Sequence, residues 1–350
     1  MDTGFFRRTW GRAEVEMNAT IIIINHNGQD LLARSVPAAL GAARRASGDH
    51  AVLVADDAST DDSIELLCRQ FPEVRVLALP KRGFGAACNA GVEAAETDVA
   101  LLLNNDVVVS PDFLEPLLDD LAKPAVFAAG CKFLNPDGSL TDALGNRTSG
   151  RWQGGLLYIH HETKPELLTR TCPQLYANGG GMAFRRDRWL ELGGFDPLFR
   201  PLYWEDVDIG YRAWGRGWRV LYEPASVVYH DQGSTMARLH RPAQIELMSA
   251  KNAILFAWKN LLDSRLLRRA LAAQARWTVD DVLIGGLPNR TKALWWAFRQ
   301  LGPACRARAA ARRERVIRDE EILALASGEA AEQDAKVLPY GPPSGAGGRA

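Results

Sequence analysis

The sequence contains few cysteines and has no long apolar segment. Its five cysteines are scattered over 350 residues without a Cys-x-x-Cys pair, so neither a zinc ribbon nor a disulfide scaffold is expected, and a reducing compartment is favoured. No apolar run reaches the roughly 18–20 residues that span a bilayer. Residues 1–17 lack the apolar core of a secretory signal and are interpreted as a leader, so a cytoplasmic protein is expected.

Two common phosphate-binding motifs are also absent from the sequence. The first predicted βα turns contain neither Gly-x-Gly-x-x-Gly nor the P-loop pattern Gly-x-x-x-x-Gly-Lys-[Ser/Thr]. A nucleotide, if one binds, must therefore be held by other side chains. The composition, 47% apolar and 24% charged, is that of a globular protein with a sizeable core.

Short apolar segments alternate with helix-compatible segments through the first hundred residues. The apolar runs are TIIII, AVLVA, VRVLAL and VALLL, at residues 20–24, 51–55, 74–79 and 99–103. The helical segments between them are 29–45, 64–71 and 84–95. This alternation predicts buried parallel strands joined by helical crossovers. We therefore expect an α/β fold, Rossmann-like, with a mostly parallel sheet flanked by helices.

The remaining chain is less regular. Helices are predicted at 110–122, 187–192, 205–214, 243–276 and 304–326, and strands at 218–222 and 226–229. Residues 140–176 are predicted to be rich in loops. The resulting domain prediction is a leader at 1–17, a catalytic domain at 18–235, a basic amphipathic helical region at 236–330 and a disordered tail at 331–350.

Amides and carboxylates cluster directly after three of the predicted strands. They are Asn25 and Asn27 after the first, Asp56 and Asp57 after the second, and Asn104, Asn105 and Asp106 after the fourth. Open α/β sheets bind ligands at the edge formed by these strand ends. Since carboxylates repel a phosphorylated ligand unless a divalent cation lies between them, the clusters predict Mg²⁺ or Mn²⁺.

Seven motifs lie in order over residues 19–235. They are TIIIINHNG, VADDASTDDS, RGFGAACNAG, LLLNNDVVVSPDFL, NGGGMAFRRDRWLELGGFDPLF, YWEDVDIGYRAWGRGWRV and VVYHDQGS. Together they resemble the inverting nucleotide-sugar glycosyltransferases of family 2, which have the GT-A fold. The variants GF-x-x-x-x-N-x-G and NND are most similar to rhamnosyltransferase-like bacterial members that build surface polysaccharide.

The resemblance implies a donor site for a UDP- or dTDP-linked sugar. Asp56 resembles the carboxylate that accepts a hydrogen bond from the imide N–H of a pyrimidine base, and Asn25 and Asn27 line the same pocket. The other residues assigned to nucleotide binding are Asp57, Arg82, Gly83 and Asn105. Lys81 or Arg82 would supply positive charge for the phosphates.

The resemblance also implies a metal site and a catalytic base. Asp106 resembles the last acid of the Asp-x-Asp motif that holds the metal, although Asn104 stands where the family usually has Asp. His230 resembles a histidine that completes the metal site in some members. Asp206 is similar to the general base that takes the proton of the acceptor hydroxyl in a single displacement.

Residues near the implied base are assigned to the sugar and the acceptor. They are Gly180, Gly181, Trp204 and Glu205. The acceptor expected from the resemblance is a glycan or a lipid-linked saccharide.

Each assignment has a structural alternative. Asp56 and Asp57 could belong to a helix cap in which Ser59 pairs with Asp62, and Asp106 could simply end a strand. Glu205 and Asp206 open a predicted helix, where the helix dipole favours acids. The remaining alternatives are a structural histidine for His230, a backbone bend for Gly179–Gly181 and a core position for Trp204.

The C-terminal region is strongly basic. Residues 236–318 contain 17 Lys and Arg against 5 Asp and Glu, although the whole chain has a formal net charge of zero. Lys251 and Lys259 lie among apolar residues of the predicted helix at 243–276, and Trp295, Trp296 and Phe298 form an aromatic cluster. This pattern is typical of helices that attach a protein peripherally to an anionic membrane, here the inner face. It equally fits an apolar stripe that covers the catalytic domain.

Other functions were weighed against glycosyl transfer. A nucleotidyltransferase or another nucleotide-sugar-binding enzyme of related fold would normally carry a Gly-rich basic loop after the first strand, where this chain has Asn25-His26-Asn27-Gly28. A non-catalytic scaffold would be expected to have lost Asp106 or Asp206. Nucleic-acid binding through the basic segment is not expected, because no recognised reader motif accompanies it.

Overall fold

The computed structural model of the protein describes residues 17–141, 146–153, 155–230, 242–284 and 288–328. The predicted tail at 331–350, and all of the predicted leader except Met17, lie outside these ranges. The strands are β1 (Ala19–Asn25), β2 (Ala51–Asp57), β3 (Arg75–Leu79), β4 (Val99–Asn104), β5 (Val107–Val109), β6 (Val126–Leu134), β7 (Thr148–Gln153), β8 (Leu156–His161), β9 (Cys172–Pro173), β10 (Gly181–Arg185) and β11 (Arg219–His230).

Eleven α-helices are described within the same ranges. They are α1 (Gln29–Arg45), α2 (Ser63–Gln70), α3 (Phe84–Ala94), α4 (Leu114–Leu121), α5 (Arg186–Leu192), α6 (Glu205–Gly215), α7 (Pro242–Asn260), α8 (Ser264–Ile284), α9 (Pro288–Phe298), α10 (Leu301–Glu314) and α11 (Asp319–Ser327). Short 3₁₀ turns occur at Pro165–Leu167 and Pro197–Phe199.

Nine of the described strands form one mixed sheet. Its order is β3-β2-β1-β4-β10-β6-β11-β5, and β9 pairs with β11. The four strands β3, β2, β1 and β4 are parallel, while β10 runs antiparallel to both β4 and β6. The first four strands and their crossover helices therefore confirm the predicted α/β architecture.

Alternate residues of the central strands supply two separate cores. In β1, Ile21 and Ile23 pack on one face of the sheet with α1 and α4, whereas Ile22 and Ile24 pack on the other face with α3 and α6. All four side chains are at most 7% exposed. Such runs are apolar throughout because a strand covered by helices on both faces buries every side chain.

The C-terminal helices belong to the second of these cores. Leu255, Phe256 and Trp258 of α7 lie in one apolar cluster with Tyr211 of α6 and Trp189 of α5. Within the described residues, no helix combines the length and apolar character needed to cross a bilayer. The apolar stripe of α7 therefore packs against the rest of the protein, as in the alternative interpretation of this segment, and is not available to a membrane.

Several predicted boundaries are corrected by the structure. The region at 140–176 is not mainly loop, because β7 and β8 pair as an antiparallel hairpin. The helix predicted at 110–122 begins only at Leu114. The two strands predicted at 218–222 and 226–229 are one strand, β11, with an irregularity between Glu223 and Val227.

The two long C-terminal helices predicted from the sequence are each divided in the structure. The segment 243–276 is interrupted between Asn260 and Ser264, and the segment 304–326 between Glu314 and Asp319. Both breaks lie where the chain turns to pack a new helix on its neighbours. Helical periodicity predicted the elements but not these turns, although Asp263 caps the start of α8 by accepting from the Arg265 and Leu266 N–H groups.

The buried carboxyl groups of Asp120 and Glu223 lie near each other, and they predict how the stability of the protein depends on pH. Asp120 of α4 is 2% exposed, and its Oδ1 lies 2.6 Å from Nζ of Lys123. Burial, together with the nearby carboxylate of Glu223, raises the pKa of Asp120 from 3.8 to about 6. A folded-state pKa above the unfolded value stabilises the fold in acid, and this contribution is lost as the pH rises through about 6.

We therefore expect Asp120→Asn to raise the thermal unfolding midpoint at about pH 8 by a few degrees, because the variant removes a buried charge. Near pH 4 the variant should match the unaltered protein. Asp119→Asn at the exposed neighbouring position is the control and should change little at either pH. A lower midpoint for Asp120→Asn at pH 8 would contradict this account of the pair.

Candidate active site

Asp56 lies at the end of β2 and binds the turns that follow β1 and β2. Its side chain is fully buried. Oδ2 accepts hydrogen bonds from Asn25 Nδ2 at 2.8 Å and from the Ser59 hydroxyl at 2.6 Å, and Oδ1 accepts one from the Ser59 backbone N–H at 2.8 Å. A carboxylate offers about four acceptor positions, so about one remains for a ligand. Ser59 bonds to Asp56 and not to Asp62, so the predicted capping pair does not form.

Amides at the ends of the first and fourth strands form a hydrogen-bonded chain to Asp56. Asn105 Nδ2 donates to Asn25 Oδ1 at 2.8 Å, and Asn25 in turn donates to Asp56. Both asparagines are at most 5% exposed. A Cβ at Gly28 would lie 2.2 Å from Asn105 Nδ2, so the turn after β1 needs glycine there for these amides to meet.

Asn27 fixes the turn after β1 to the turn after β2. Its backbone adopts φ of 52°, in the left-handed region that asparagine tolerates better than most residues. The Asn27 N–H donates to the Ser59 hydroxyl at 2.8 Å, and Asn27 Oδ1 accepts from the Thr60 N–H at 2.7 Å. Asn27 thus ties the two turns together near Asp56, and Asn27 itself is exposed.

Asp57 holds the loop that precedes α3. Its carboxylate accepts hydrogen bonds from the backbone N–H groups of Arg82 at 2.6 Å and Gly83 at 3.0 Å, and Lys81 Nζ lies 3.1 Å away. Gly83 has φ of 84°, which favours glycine. These two N–H groups are therefore engaged by Asp57, while the Arg82 side chain remains exposed.

Asp106 and His230 come together because β11 pairs antiparallel with β5. His230 lies opposite Val107 in this register, and His230 Nε2 is 3.3 Å from Asp106 Oδ1. The ring of Phe133 packs edge-on against His230 at 5.9 Å between centroids. The side chain of Asn104 lies beside Gly180 instead.

Asp106 and His230 have the chemistry of a partial cation site. No group of three or more His, Cys, Asp and Glu side chains suited to a metal is present in the part of the chain that the structure describes. His230 Nδ1 is buried without a hydrogen-bond partner, and Asp106 lies at its other ring nitrogen. Mg²⁺ and Mn²⁺ bind with one or two protein ligands when substrate phosphates and water supply the rest, so the two residues fit such a site.

Asp206 opens α6 and reaches the glycine segment before β10. Its Oδ2 accepts from the Gly179 N–H at 3.2 Å, and its Oδ1 from the Val207 N–H at 2.8 Å. The side chain keeps part of its surface accessible. Burial of the rest raises the pKa of Asp206 from 3.8 to about 6, even though these N–H groups favour the anion.

Glu205 precedes Asp206 and is more deeply buried. It is 9% exposed, and its Oε2 has no hydrogen-bond partner. Burial first, and then the charge of Asp206, raise the pKa of Glu205 to about 8. Of the two carboxyl groups, Glu205 therefore holds a proton more readily than Asp206.

A small cavity of about 100 Å³ opens beside Glu205. Polar and apolar surface contribute about equally to its wall, and the polar side chains are Asn89, Asp196, Arg200 and Glu205. Phe195 lines the cavity and also lies near Gly179 and Asp206. A polar ligand with hydrogen-bonding groups is the kind that this mixed wall suits.

Close packing requires glycine at two positions where the chain enters β10. A Cβ at Gly180 would lie 2.8 Å from Asn104 Nδ2, and one at Gly181 would lie 2.6 Å from the Phe133 ring. The side-chain position of Gly181 is thus filled by protein, which favours the structural alternative for that residue. Gly179 differs, since its Cβ position has only ordinary contacts at 3.7–3.8 Å.

Trp204 has features of a core residue. Its ring lies 5.3 Å from that of Phe256, and its Nε1 donates to the Ser249 hydroxyl at 3.2 Å. The residue is partly exposed and has φ of 77°, a conformation that L-residues rarely adopt. The strained backbone at Tyr203 and Trp204 brings the chain into α6 at the angle that presents Asp206.

The three acids expected to converge are connected through short contacts. Asn25 and Asn105 bridge Asp56 to the segment that ends in Asp106. The neighbouring Asn104 N–H donates to the Gly180 carbonyl at 3.3 Å. Gly179, next along the chain, donates to Asp206. This chain of contacts, which we call the rim, therefore links Asp56, the segment of Asp106, and Asp206 at the start of α6.

Sequence reasoning missed the contribution of α7 to this rim. Asn252 Nδ2 donates to the carbonyls of Phe199, Leu202 and Tyr203 at 2.6–2.9 Å, and Lys251 Nζ donates to that of Arg200 at 2.7 Å. These bonds fix the segment that leads into α6. Polar residues buried in an apolar helix face could have been the signal, because such residues need fixed partners.

A buried ionic cluster holds α6 itself. Asp208 is fully buried and accepts from Arg212 Nε at 2.7 Å, Lys259 Nζ at 2.8 Å and Asn260 Nδ2 at 2.7 Å. Lys259 also donates to Asp196 at 2.6 Å. Burial would raise the pKa of Asp208, but the two cations hold it below its ordinary value.

Comparison with known proteins bears on the family and the fold of the chain. Residues 20–192 match the family model described as glycosyl transferase family 2. A curated relative from Mycobacterium tuberculosis, N-acetylglucosaminyl-diphospho-decaprenol L-rhamnosyltransferase, is 28% identical over 211 residues, which cover 53% of this chain and 68% of the relative.

Two solved structures share the fold. GalNAc-T7 with UDP, GalNAc and Mn²⁺ has a TM-score of 0.53 at 18% identity, over 77% of this chain and 57% of that one. Residues 1–349 of S. aureus TarS with UDP-GlcNAc have a TM-score of 0.52 at 14% identity, over 91% and 93% of the two chains. The family match, the relative and the GT-A-like fold together support a glycosyltransferase that carries a glycosyl transferase family 2 domain at residues 20–192.

Proposed function

We propose that the protein is an inverting glycosyltransferase that uses a UDP- or dTDP-linked sugar. The acceptor is a glycan or a lipid-linked saccharide in the synthesis of bacterial surface polysaccharide, and the sugar is a hexosyl or deoxyhexosyl group. The observation that carries this proposal is the continuous rim from Asp56 through Asn25, Asn105 and Gly179 to Asp206. The name of the M. tuberculosis relative supports the lipid-linked acceptor, which lies in a membrane.

The nucleotide would bind at the ends of β1 and β2. The remaining acceptor position of Asp56 suits the imide N–H of uracil or thymine, a donor that adenine lacks. Asn25 and Asn105 hold the Asp56 carboxylate in place, and Asn27 borders the same opening. Lys81 and the exposed Arg82 would face the phosphates.

Asp106 and His230 would hold a Mg²⁺ or Mn²⁺ ion at the diphosphate. When bound, this cation supplies positive charge that stabilises the departing nucleoside diphosphate. Asp106 would contribute an anionic oxygen, and His230 a neutral ring nitrogen. Asn104 supplies no charge, so Asp106 would be the single carboxylate of the segment after β4 to face the cation.

Asp206 would act as the base for the acceptor hydroxyl. In one displacement the acceptor oxygen forms a bond to the anomeric carbon, the bond to the diphosphate breaks, and the hydroxyl proton passes to Asp206. No covalent enzyme intermediate is required. Glu205, protonated at neutral pH, would donate a hydrogen bond to a sugar hydroxyl, and the exposed edge of Trp204 would lie beside the acceptor.

Thermal shift with nucleoside diphosphates tests the donor side directly. With Mg²⁺ or Mn²⁺ present, we expect UDP or dTDP to raise the unfolding midpoint more than GDP or ADP. A ligand at a hundred times its dissociation constant stabilises by about 2.7 kcal/mol. A larger shift with GDP would contradict the pyrimidine assignment of Asp56.

The metal assignment is tested in the same assay. His230→Ala should remove most of the additional shift that Mn²⁺ gives with UDP, because the variant loses one of two protein ligands. His160→Ala, at an exposed position on β8, is the matched control and should keep it. An undiminished Mn²⁺ effect in His230→Ala would show that His230 is structural.

A further inference from the structure

Helices α9 and α10 carry a long basic segment without acids. Residues 288–313 contain seven Lys and Arg and no Asp or Glu. The nearest acidic residues in the sequence lie before the segment, in α8, and after it, beginning with Glu314. The segment therefore has a positive field that no acid of its own compensates.

Large apolar side chains are exposed within this basic segment. Trp295 is 64% exposed, Phe298 54% and Leu301 42%. Lys292 is exposed before these residues, Arg299 between them and Arg306 after them. We call these six residues the α9–α10 face. Soluble surfaces usually scatter their exposed apolar residues singly, so a cluster of this kind indicates a binding surface.

The α9–α10 face is held rigidly on the body of the protein. Ala293, Ala297 and Ala304 are buried on the opposite side of the two helices. The Phe298 ring lies 5.2 Å from that of Trp258, and Arg308 Nη1 donates to the carbonyls of Trp258 and Leu261. The same helices thus bury small residues inward and present large apolar and basic residues outward.

The exposed residue types match the boundary of a lipid bilayer. Tryptophan is enriched at membrane–water interfaces, and basic residues on amphipathic helices bind anionic headgroups. Arg299 lies over the Trp295 ring at 5.0 Å, which joins a cation to an interfacial aromatic ring. A protein partner could also cover apolar residues, but the absence of any acid over 26 positions favours an anionic surface.

We propose that the α9–α10 face docks the protein on an anionic phospholipid bilayer. This face is the exposed part of the basic, aromatic region for which membrane attachment was expected from the sequence, whereas α7, with Lys251 and Lys259, is buried in the protein and unavailable. Docking is peripheral, and its energy comes from headgroup contacts and shallow insertion of Trp295, Phe298 and Leu301.

The docking face lies close to the cavity beside Glu205. The Trp296 ring packs inward under Lys251 Nζ at 4.8 Å, and Lys251 Nζ donates to the carbonyl of Arg200, which lines the cavity. A docked protein would hold this cavity near the bilayer, where a lipid-linked acceptor lies. This consequence rests on the proposed function, whereas the docking itself does not.

Co-sedimentation of the full chain with vesicles tests the proposal. We expect binding to phosphatidylcholine vesicles that contain one third phosphatidylglycerol, little binding to phosphatidylcholine alone, and weaker binding in high salt. Replacing Lys292, Arg299 and Arg306 together with Gln should weaken binding by about a hundredfold, at roughly fivefold per charge. Trp295→Ala should weaken it further in the same assay.

A matched control removes the same charge elsewhere. Lys164, Arg170 and Arg219 are exposed and lie outside the α9–α10 face, so their joint replacement with Gln should weaken binding much less. Circular dichroism and the UDP-induced thermal shift should be unchanged in every variant. If UDP does not shift the unfolding midpoint of the unaltered protein, that result would count against the proposed function and not against docking.

Four outcomes would overturn the docking proposal. They are no vesicle binding by the unaltered protein, equal binding to neutral vesicles, equal loss in the control variant, and no effect of the α9–α10 substitutions. Binding of a single-stranded RNA oligonucleotide that the α9–α10 substitutions abolish, without vesicle binding, would assign the face to nucleic acid.

Discussion

Asp206→Asn should lower kcat by roughly a thousandfold, within the range usual for loss of general acid–base catalysis. The amide has nearly the same shape as the carboxylate but cannot take the proton of the acceptor hydroxyl. Nucleotide binding should survive, because Asp206 is separated from Asp56 by the whole rim. The measurement is turnover with a panel of nucleotide sugars, together with the UDP-induced thermal shift of the same variant.

The pH profile gives a second test of this base. Since the pKa of Asp206 is raised to about 6, the base becomes protonated as the pH falls below that value. We expect kcat/KM to fall about tenfold per pH unit in this range, as for a single essential base. A rate that is independent of pH down to pH 4 would remove Asp206 from this role.

Glu205→Gln is the matched control for Asp206→Asn. The amide resembles a protonated carboxyl group, and burial keeps Glu205 protonated at neutral pH. The variant should therefore keep most of the activity at pH 7, although it lies next to the base. Equal losses in the two variants would indicate that the acids act as one structural unit.

Lys259→Met should destabilise the protein by about 3 kcal/mol, the cost of removing one partner from a buried charge pair. Lys259 is 3% exposed and bonds to both Asp196 and Asp208. Methionine has a similar length, so the change removes charge with little change of volume. Urea denaturation at neutral pH measures the loss, and kcat should also fall because Asp208 lies on the helix that carries Asp206.

Lys251→Met on the same helix provides the control. Lys251 donates to a backbone carbonyl and faces the Trp296 ring, and burial lowers its pKa to about 8. Its replacement leaves no buried carboxylate without a partner and should cost much less. Similar unfolding midpoints for Lys259→Met and the unaltered protein would mean that Arg212 and Asn260 alone satisfy Asp208.

Local patterns were sufficient to predict the first half of the sheet. The apolar runs that became β1, β2 and β4 are short and continuous because both faces of these strands are covered, whereas β3 lies at the edge of the sheet and is only partly buried. Once they are parallel, their ends must share an edge, so the grouping of Asn25, Asp56 and Asn105 followed from the order of the chain alone.

The position of His230 could not be predicted in this way. Its approach to Asp106 depends on β11 running parallel to β6 and antiparallel to β5. These pairings join strands that are far apart in sequence, and no local pattern records which strands become neighbours. The hairpin of β7 and β8 was missed for a related reason, since its half-exposed strands have weak apolar periodicity.

The C-terminal region separates the two kinds of information most clearly. Composition alone identified basic, aromatic helices, and this description applies equally to α7 and to α9. Only the packed structure decided that Lys259 lies at a buried carboxylate while Lys292 and Trp295 face outward. A helical period states which residues share a face, but whether protein, water or lipid covers that face depends on what the rest of the chain places there.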